Sequence, residues 1–348
     1  MQAPRRPPPA GDGLPPVEQV RPGLWSLPVP IPDSPLRHVF AYAFEVPGGV
    51  VLVDPGWNAP EALQALEEGL RTAGARLADV RGVLVTHIHP DHYGLAGKVR
   101  ELSGAWVALH PADAANVPDR HQDVDDLLAR IVRWLAATGA PADDLDQLRD
   151  ATMQLRRFVV VARPDVLLAD GDRAEVPGWD LRALHTPGHT PGHLCFVEAR
   201  AGVVLTGDHV LATISPNVSS HPQSGPDPLG DYLASLARLR AHGGLDALPG
   251  HQWRFGGLGE RIGELLAHHQ VRLADAEALV AGGAETAYQV AAGLRWSRPF
   301  AGLRGFGRRA ALFETLAHLL HLERRGRLVR TGEDPLRWRR GSAAGRQG

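Results

Sequence analysis

Short apolar runs separated by glycine and proline occupy the first part of the chain. Three of them, at 24–31, 40–46 and 50–56, have the β-branched and aromatic residues typical of strands. Between the second and third runs, the Pro-Gly-Gly segment at 47–49 supplies a turn, so the pattern predicts a β-hairpin. Residues 59–73 instead carry apolar side chains at helical spacing and stop before a glycine, which predicts a helix.

The same alternation of strand and helix patterns continues downstream. Residues 80–87 read as a buried strand, 93–104 as a helix, and 105–114 as a strand followed by a turn. Residues 122–158 predict two amphipathic helical segments broken at 139–141, an insertion long enough to cover a site. Further strands are predicted at 166–168, 180–185, 193–198 and 202–206, and a helix at 231–243. This alternation predicts a layered α/β architecture.

The pattern changes near residue 258. A long helix, a short helix at 286–294, another long helix at 308–328 and a hairpin at 329–339 follow in the order of a winged-helix domain. One apolar face of the last helix, expected to be core, carries Leu312, Leu316, Leu319 and Leu320. We therefore predict four regions: a disordered tail at 1–18, a catalytic domain at 19–257, a winged-helix-like domain at 258–340 and a second disordered tail at 341–348.

Composition narrows the class of protein. The net charge is −2 and Cys195 is the single cysteine, so disulfides within the chain and cysteine-rich zinc sites are excluded. The Pro-rich N-terminus lacks the apolar core of a secretory signal, and no apolar run is long enough to cross a bilayer. We expect a cytoplasmic protein without a membrane partner.

The segment THIHPDH, residues 86–92, concentrates candidate metal ligands at the end of a predicted strand. His87 and His89 are two residues apart and share a face of extended chain, and Asp91 and His92 follow a turn at Pro90. Imidazole and carboxylate groups suit borderline divalent metals, so zinc is the first expectation and iron or manganese the alternatives.

Four ligands do not complete two metal sites, because each ion needs about three protein ligands. Three further candidates, His189, Asp208 and His251, each follow an apolar run and lie in a turn containing glycine or proline. We expect His87, His89 and His189 around one ion and Asp91, His92 and His251 around the other. Asp208 is left to bridge them. Two ions about 3.5–4 Å apart can hold a hydroxide between them.

The segments VDPG at 53–56, THIHPDH, HTPGHTPGH, TGDH and PGH, in this order, resemble the metallo-β-lactamase-fold hydrolase superfamily over about residues 20–255. The resemblance implies a four-layered αβ/βα sandwich with a binuclear metal site at its edge and the same seven ligands. It also implies that Asp54 orients a ligand histidine through a hydrogen bond. The sequence departs from many relatives at Leu95, where they have a second glycine.

A closer branch is suggested by residues 207–239 together with the winged-helix-like segment. These resemble the lactamase-beta-like protein 2 hydrolases, a branch that includes an endoribonuclease and fungal thioesterases. The first functional hypothesis is therefore a hydrolase of an ester, thioester or lactone, in which the bridging hydroxide attacks the carbonyl of a small acyl substrate and Asp91 assists proton transfer. The alternatives are a phosphodiesterase or endoribonuclease acting on single-stranded RNA, a DNA-binding sensor and a diiron redox protein. Nucleic acid is not the favoured partner, and a homodimer is considered.

Several residues near the ligands have both a functional and a structural interpretation. Tyr93, Ser215, Asn217 and Tyr232 are candidate substrate contacts, although helix capping, turns and packing are common uses of the same residues. For His193, which lies in a second Gly-His pair, we expect a supporting role behind the ligands.

Overall fold

Two β-sheets stacked face to face form the centre of the computed structural model, which describes residues 13–117, 124–142, 144–145 and 162–341. Among these residues, the first sheet has seven strands, and their order in the sheet is the same as their order in the chain. They are β1 Glu18–Arg21, β2 Leu24–Pro30, β3 His38–Val46, β4 Gly49–Val53, β5 Val80–Leu84, β6 Trp106–Leu109 and β7 Val166–Leu167. Strands β1 to β4 pair antiparallel, whereas β4 to β7 pair parallel. The predicted hairpin is therefore present as β3 and β4.

The second sheet has the order β11-β10-β9-β8. Its strands are β8 Arg182–His185, β9 Leu194–Glu198, β10 Val203–Gly207 and β11 Asp246–Pro249. Strand β9 pairs antiparallel with both β8 and β10, and β11 pairs parallel with β10. A separate hairpin consists of β12 Leu328–Glu333 and β13 Leu336–Arg340.

Helices cover the outer faces of both sheets. They are α1 Pro60–Thr72, α2 Pro90–Tyr93, α3 Ala96–Ser103, α4 Pro111–Ala114, α5 Val124–Ala137, α6 Pro228–Leu239, α7 Leu258–Ala281, α8 Ala287–Gly293 and α9 Gly305–Arg324. Short 3₁₀ turns occur at Leu77–Asp79, Arg240–His242 and Phe300–Gly302. The second helical segment predicted within 122–158 falls largely outside the described residues.

Strand alternation builds the layers. On β3, Ala41 and Ala43 face a core shared with α1 and α3, whereas Tyr42 and Phe44 face the core between the sheets. Strand β9 behaves alike: Phe196 points between the sheets and Val197 towards the helices on the other side. Because each sheet buries both faces, the order is helix, sheet, sheet, helix. The predicted four-layered arrangement is confirmed.

The C-terminal elements appear in the predicted order of helix, short helix, helix and hairpin. Their apolar core is continuous with that of the second sheet, since Val204 of β10, Ile262 of α7 and Trp338 of β13 belong to one buried cluster. The winged-helix assignment and the domain boundaries stay predictions. Residues 1–12 and 342–348 of the two predicted tails lie outside the described residues, whereas Glu18, at the end of the predicted N-terminal tail, belongs to strand β1.

Two smaller differences have local causes. The short edge strand β1 was not predicted, because its sequence EQVR has no apolar alternation. Helix α6 begins three residues earlier than predicted, since the Asp227 side chain accepts a hydrogen bond from the Gly230 N–H and caps it. Within the described part of the chain, no helix is long and apolar enough to cross a membrane.

Candidate metal centre

Four loops meet at one edge of the two sheets. The loop after β5 carries His87 to His92, and the connection between β8 and β9 carries His189. Asp208 directly follows β10, and His251 lies just beyond β11. Since parallel strands end at the same edge, the folding of both sheets gathers side chains that are up to 164 positions apart in the chain.

The first group of side chains consists of three histidines. The Nδ1 atom of His89 lies 3.0 Å from Nε2 of His87 and 2.9 Å from Nε2 of His189. Nitrogen atoms this close converge on a common point, and the three residues form a candidate metal-binding group.

The second group contains a carboxylate and two histidines. Oδ2 of Asp91 lies 3.1 Å from Nε2 of His251 and 3.8 Å from Nε2 of His92. Asp208 lies between the two groups: its Oδ1 is 3.4 Å from Nε2 of both His92 and His251, and its Oδ2 is 3.7 Å from Nε2 of His189. The structure thus brings all seven predicted ligands together, with one aspartate in contact with both groups.

The hydrogen bonds on the outer side of the histidines suit metal binding. Nδ1 of His92 donates to the Asp54 carboxylate, Nδ1 of His189 to the Asn217 carbonyl and Nδ1 of His251 to the His38 carbonyl, each at 2.8 Å. A neutral imidazole that donates from one nitrogen keeps a lone pair on the other. These outer hydrogen bonds fix the orientation of each ring, so that its other nitrogen faces the shared space between the two groups.

The inward atoms are also short of partners. Nε2 of His92, Nε2 of His251 and Oδ1 of Asp208 are buried and make no hydrogen bond. Gly250 keeps this space clear, since a Cβ there would lie 2.5 Å from Cε1 of His92 and 2.9 Å from Oδ1 of Asp208. The arrangement is compatible with a binuclear metal site.

The electrostatics of the two groups differ. Burial, reinforced by the neighbouring His92, holds the pKa of His87 well below its ordinary value. Burial also opposes a charge on His251, but the Asp208 carboxylate outweighs it and raises the pKa of His251 to about 10. The same carboxylate, aided by Asp54, raises the pKa of His92 well above its ordinary value against the effect of burial. The carboxylates thus favour positive charge at this point, which a divalent cation supplies.

Asp54 lies beside the ligands and is hydrogen-bonded to His92. Besides the bond from His92, its carboxylate accepts hydrogen bonds from the N–H of Thr86 at 2.8 Å and from the Thr86 hydroxyl at 2.7 Å. The Thr86 hydroxyl in turn lies 3.0 Å from Nδ1 of His87. Thr86 was not singled out in the sequence, because a threonine before a histidine has no distinctive spacing.

Replacing Asp54 with asparagine should weaken the binding of one metal ion about 10–100-fold, because the outer partner of His92 loses its charge. Chelator-competition titration of the purified protein with zinc measures this effect. Asp165→Asn is a suitable control, since Asp165 also accepts a main-chain N–H bond, from Val107, but lies at the amino end of β7. Equal zinc affinity in Asp54→Asn and the wild type would contradict the role given to Asp54.

His193 lies behind the ligands. Its Nδ1 is 2.9 Å from the Thr186 hydroxyl, and its Nε2 accepts the N–H of Asp208 at 3.2 Å. Its ring also lies against His87, with centroids 5.1 Å apart. His193 thus contacts two predicted ligands, and its supporting role stays a prediction.

The two tyrosines proposed as substrate contacts are packing residues instead. Tyr93 has no exposed surface, and its hydroxyl both donates to and accepts from the main chain of Ala162. Tyr232 is equally buried, and its hydroxyl donates to the His209 carbonyl at 3.0 Å. A buried, satisfied hydroxyl is not available to a substrate, so the substrate role predicted for both residues is replaced by a structural one.

Ser215 and Asn217 are half-buried in the loop after Asp208, and their substrate role stays a prediction. Asn217 has a further role that residue type could not indicate: its main-chain carbonyl holds His189. Its side-chain oxygen accepts a bond from the Ser219 hydroxyl at 2.7 Å, which stiffens the same turn.

Asp113 of α4 was missed in the sequence and links two ligand loops. It is fully buried, and its carboxylate accepts from the N–H of Ile88 at 2.9 Å, the hydroxyl of Thr190 at 2.8 Å and the N–H of Gly192 at 2.7 Å. Leu95, where the sequence departs from many relatives, lies in the core beside α1 and α3 and donates its N–H to the Gly56 carbonyl. The departure leaves the ligand loop in place.

The chain matches the family model described as the metallo-beta-lactamase superfamily over residues 34–251. Among solved structures, it is similar to a metallo-beta-lactamase family protein from Thermus thermophilus, with 35% identity, a TM-score of 0.79, and coverage of 92% of this chain and 100% of the other. It is also similar to a beta-lactamase domain protein from Burkholderia ambifaria, with 28% identity, a TM-score of 0.79, and coverage of 96% and 98%. These alignments extend beyond the ligand-bearing segment into the C-terminal helices.

Among curated proteins, the chain is similar to the atrochrysone carboxyl ACP thioesterase of Aspergillus novofumigatus. The identity is 25% over 255 residues, which are 73% of this chain and 62% of the relative. The chain thus spans less than two thirds of that relative's length.

Proposed function

Because the chain belongs to the metallo-beta-lactamase superfamily, we propose that it is a binuclear metal-dependent hydrolase that cleaves an ester, thioester or lactone at this centre. The position of Asp208 carries the proposal. Its two carboxylate oxygens face different histidine groups, 3.4 Å from His92 and 3.7 Å from His189. A carboxylate placed in this way would be available to a cation in each group, and paired cations are the basis of metal-assisted hydrolysis.

Two divalent ions bound here would activate a water molecule near neutral pH and polarise the acyl oxygen. His87, His89 and His189 would hold one ion, and Asp91, His92 and His251 the other. The side chain of Asp91 is 16% exposed, whereas those of His92 and His251 have no exposed surface. Asp91 is therefore the member of its group that can orient a solvent molecule and exchange a proton with it.

The chemistry of the chain supports acyl substrates. The sequence has no GxSxG motif, so water, rather than a serine hydroxyl, is the expected nucleophile. The similarity to a thioesterase adds support for an acyl bond. We propose zinc as the metal, since the groups are rich in imidazole nitrogen; iron and manganese are the alternatives.

Arginines are frequent in the C-terminal segment and could attract nucleic acid, but several of them pair with acidic residues. Arg327 pairs with Glu277, Arg337 with Glu285, and Arg330 lies 3.1 Å from Glu323. Pairing within the protein reduces the positive field that attracts a phosphate backbone. RNA cleavage is therefore an outcome for the assay to test, and the acyl substrate is the proposal.

A panel of an aryl thioester, a lactone and single-stranded RNA, each incubated with zinc-loaded protein, tests the function. We expect cleavage of at least one acyl substrate, no cleavage of RNA, and loss of activity after chelation or in Asp91→Ala. Metal analysis of protein purified without added metal identifies the ion. Cleavage of RNA alone, abolished by Asp91→Ala, would replace the proposal with a nuclease.

A further inference from the structure

One loop connects the bridging Asp208 to helix α6, and it reaches back to the metal centre through a hydrogen bond to a ligand histidine. This bond runs from Nδ1 of His189 to the main-chain carbonyl of Asn217 at 2.8 Å. Because the acceptor is a carbonyl of the main chain, its position depends on the path of the loop and not on the asparagine side chain. Whatever holds residues 211–217 therefore sets the orientation of His189.

A buried arginine of the C-terminal segment holds this loop from one side. Arg261 lies in the first turn of α7, and its side chain is 9% exposed. Its Nε donates to the Leu211 carbonyl and its Nη2 to the Ile214 carbonyl, both at 2.9 Å, while Nη1 donates to Glu264 at 3.0 Å. A guanidinium is stable in such a buried place when its donors are paired. Here two of the acceptors are loop carbonyls.

A glutamine beside a predicted ligand holds the loop from the other side. Gln252 directly follows His251 and has a φ of +71°, a conformation uncommon for a residue with a side chain. Its Oε1 accepts the N–H of Thr213 at 2.9 Å, and its Nε2 donates to the Thr213 hydroxyl at 2.8 Å. The backbone conformation thus directs the amide onto the start of the loop.

We propose that Arg261 and Gln252 are positioning residues that fix the 211–217 loop so that the Asn217 carbonyl orients His189 for the first metal ion. The inference rests on the proposed function and assigns the C-terminal helix a part in it. Helix α7 then supports the metal centre directly, through its buried guanidinium, in addition to sharing the core of the second sheet. The loop joins both metal groups, because Gln252 adjoins His251 and Asn217 holds His189.

Zinc titration of the metal-free protein, residues 1–348, against a chromophoric chelator tests this inference. We expect Arg261→Met and Gln252→Gly to weaken one of the two binding steps about tenfold or more, as is usual when an outer partner of a ligand is lost. Glycine is chosen at 252 because it accepts the positive φ, so the loss reports the missing amide and not backbone strain. Arg261→Lys should bind zinc about as weakly as Arg261→Met, since a single ammonium group does not reproduce the two hydrogen bonds of the guanidinium to the Leu211 and Ile214 carbonyls.

Arg272 provides the matched control. It is a second buried arginine of α7, with a side chain that is 8% exposed, but it donates to the Arg295 carbonyl at 2.8 Å and stacks on Trp296. Arg272→Met should lower thermal stability and leave both zinc-binding steps unchanged. Visible spectra of the cobalt-substituted proteins give a second readout, because the absorption changes when the geometry of one ion changes.

Two results would overturn the inference. One is that Arg261→Met, Arg261→Lys and Gln252→Gly bind both ions as the wild type does. The other is that Arg272→Met weakens zinc binding as much as they do, which would indicate general destabilisation. A wild-type protein that binds no metal would overturn the proposed function and this inference together. If the wild type binds two ions but cleaves no acyl substrate, only the proposed function fails.

Discussion

Replacing Asp208 with asparagine should lower kcat/KM for the acyl substrate about 10³-fold or more, because metal assistance contributes several kcal/mol and each 1.36 kcal/mol changes the rate tenfold. The carboxylate faces both groups of histidines, and asparagine offers a weaker, uncharged oxygen to one of them at most. We expect the variant to bind fewer than two zinc ions per chain.

The fold should survive this substitution. Asparagine has the same shape as aspartate, and the main-chain N–H of residue 208 can still donate to Nε2 of His193. Removing the charge has a second effect, because Asp208 helps to raise the pKa values of His92 and His251. Both pKa values should fall in the metal-free variant, which an NMR titration of the imidazole protons measures.

A buried aspartate on a neighbouring strand gives the control. Asp246 lies at the amino end of β11 and forms an ion pair with Arg21 at 2.7 Å, away from the edge where the ligands meet. Asp246→Asn should lose some stability and keep two bound zinc ions and full activity. Wild-type rates in Asp208→Asn, with two ions still bound, would show that Asp208 is not a bridging ligand.

How much of this site could be predicted depended on the range of the interactions involved. The ligand segment 86–92 is local, so its residue types and spacing predicted a metal site without a structure. His189 and Asp208 were predicted because each follows an apolar run at a turn, and strand ends of an α/β fold meet at one edge.

The supporting residues were harder to predict because their partners are distant in the chain. Asp113 binds main-chain groups 25 and 79 positions away, and Arg261 binds carbonyls 47 and 50 positions away. Main-chain donors and acceptors have no sequence signature, so neither residue could be recognised from its neighbours. Tyr93 shows the opposite error: it adjoins a ligand in the sequence, but helix α2 turns its side chain into the core.

Replacing Asp113 with alanine should strongly destabilise the protein. The substitution leaves three buried donors without their acceptor, those of Ile88, Thr190 and Gly192. Since each unpaired buried group costs about 1–3 kcal/mol, we expect a loss of about 3 kcal/mol or more in the free energy of unfolding. Urea denaturation of the metal-free protein, followed by circular dichroism, measures this loss.

Asp172→Ala is the matched control, because Asp172 also accepts a main-chain N–H, from Ala169 at 2.7 Å, but is exposed to solvent. Water can replace that acceptor, so the control should lose well under half as much stability as Asp113→Ala. Equal stability of the two variants would show that the three hydrogen bonds to the Asp113 carboxylate do not stabilise the fold as proposed.

The same variant separates the role of Asp113 in stability from its role in metal binding. Ile88 lies between His87 and His89, and Thr190 directly follows His189, so one carboxylate sets the distance between the loops that carry all three nitrogens of the first group. Asp113→Ala should therefore bind the first zinc ion more weakly even under conditions where it remains folded. Zinc should then raise its melting temperature less than that of the wild type, because stabilisation by a ligand follows its affinity. If zinc raises the melting temperature of Asp113→Ala as much as that of the wild type, Asp113 contributes to stability only. Thr86 and the Asn217 carbonyl would then be the residues that preorganise the first metal group.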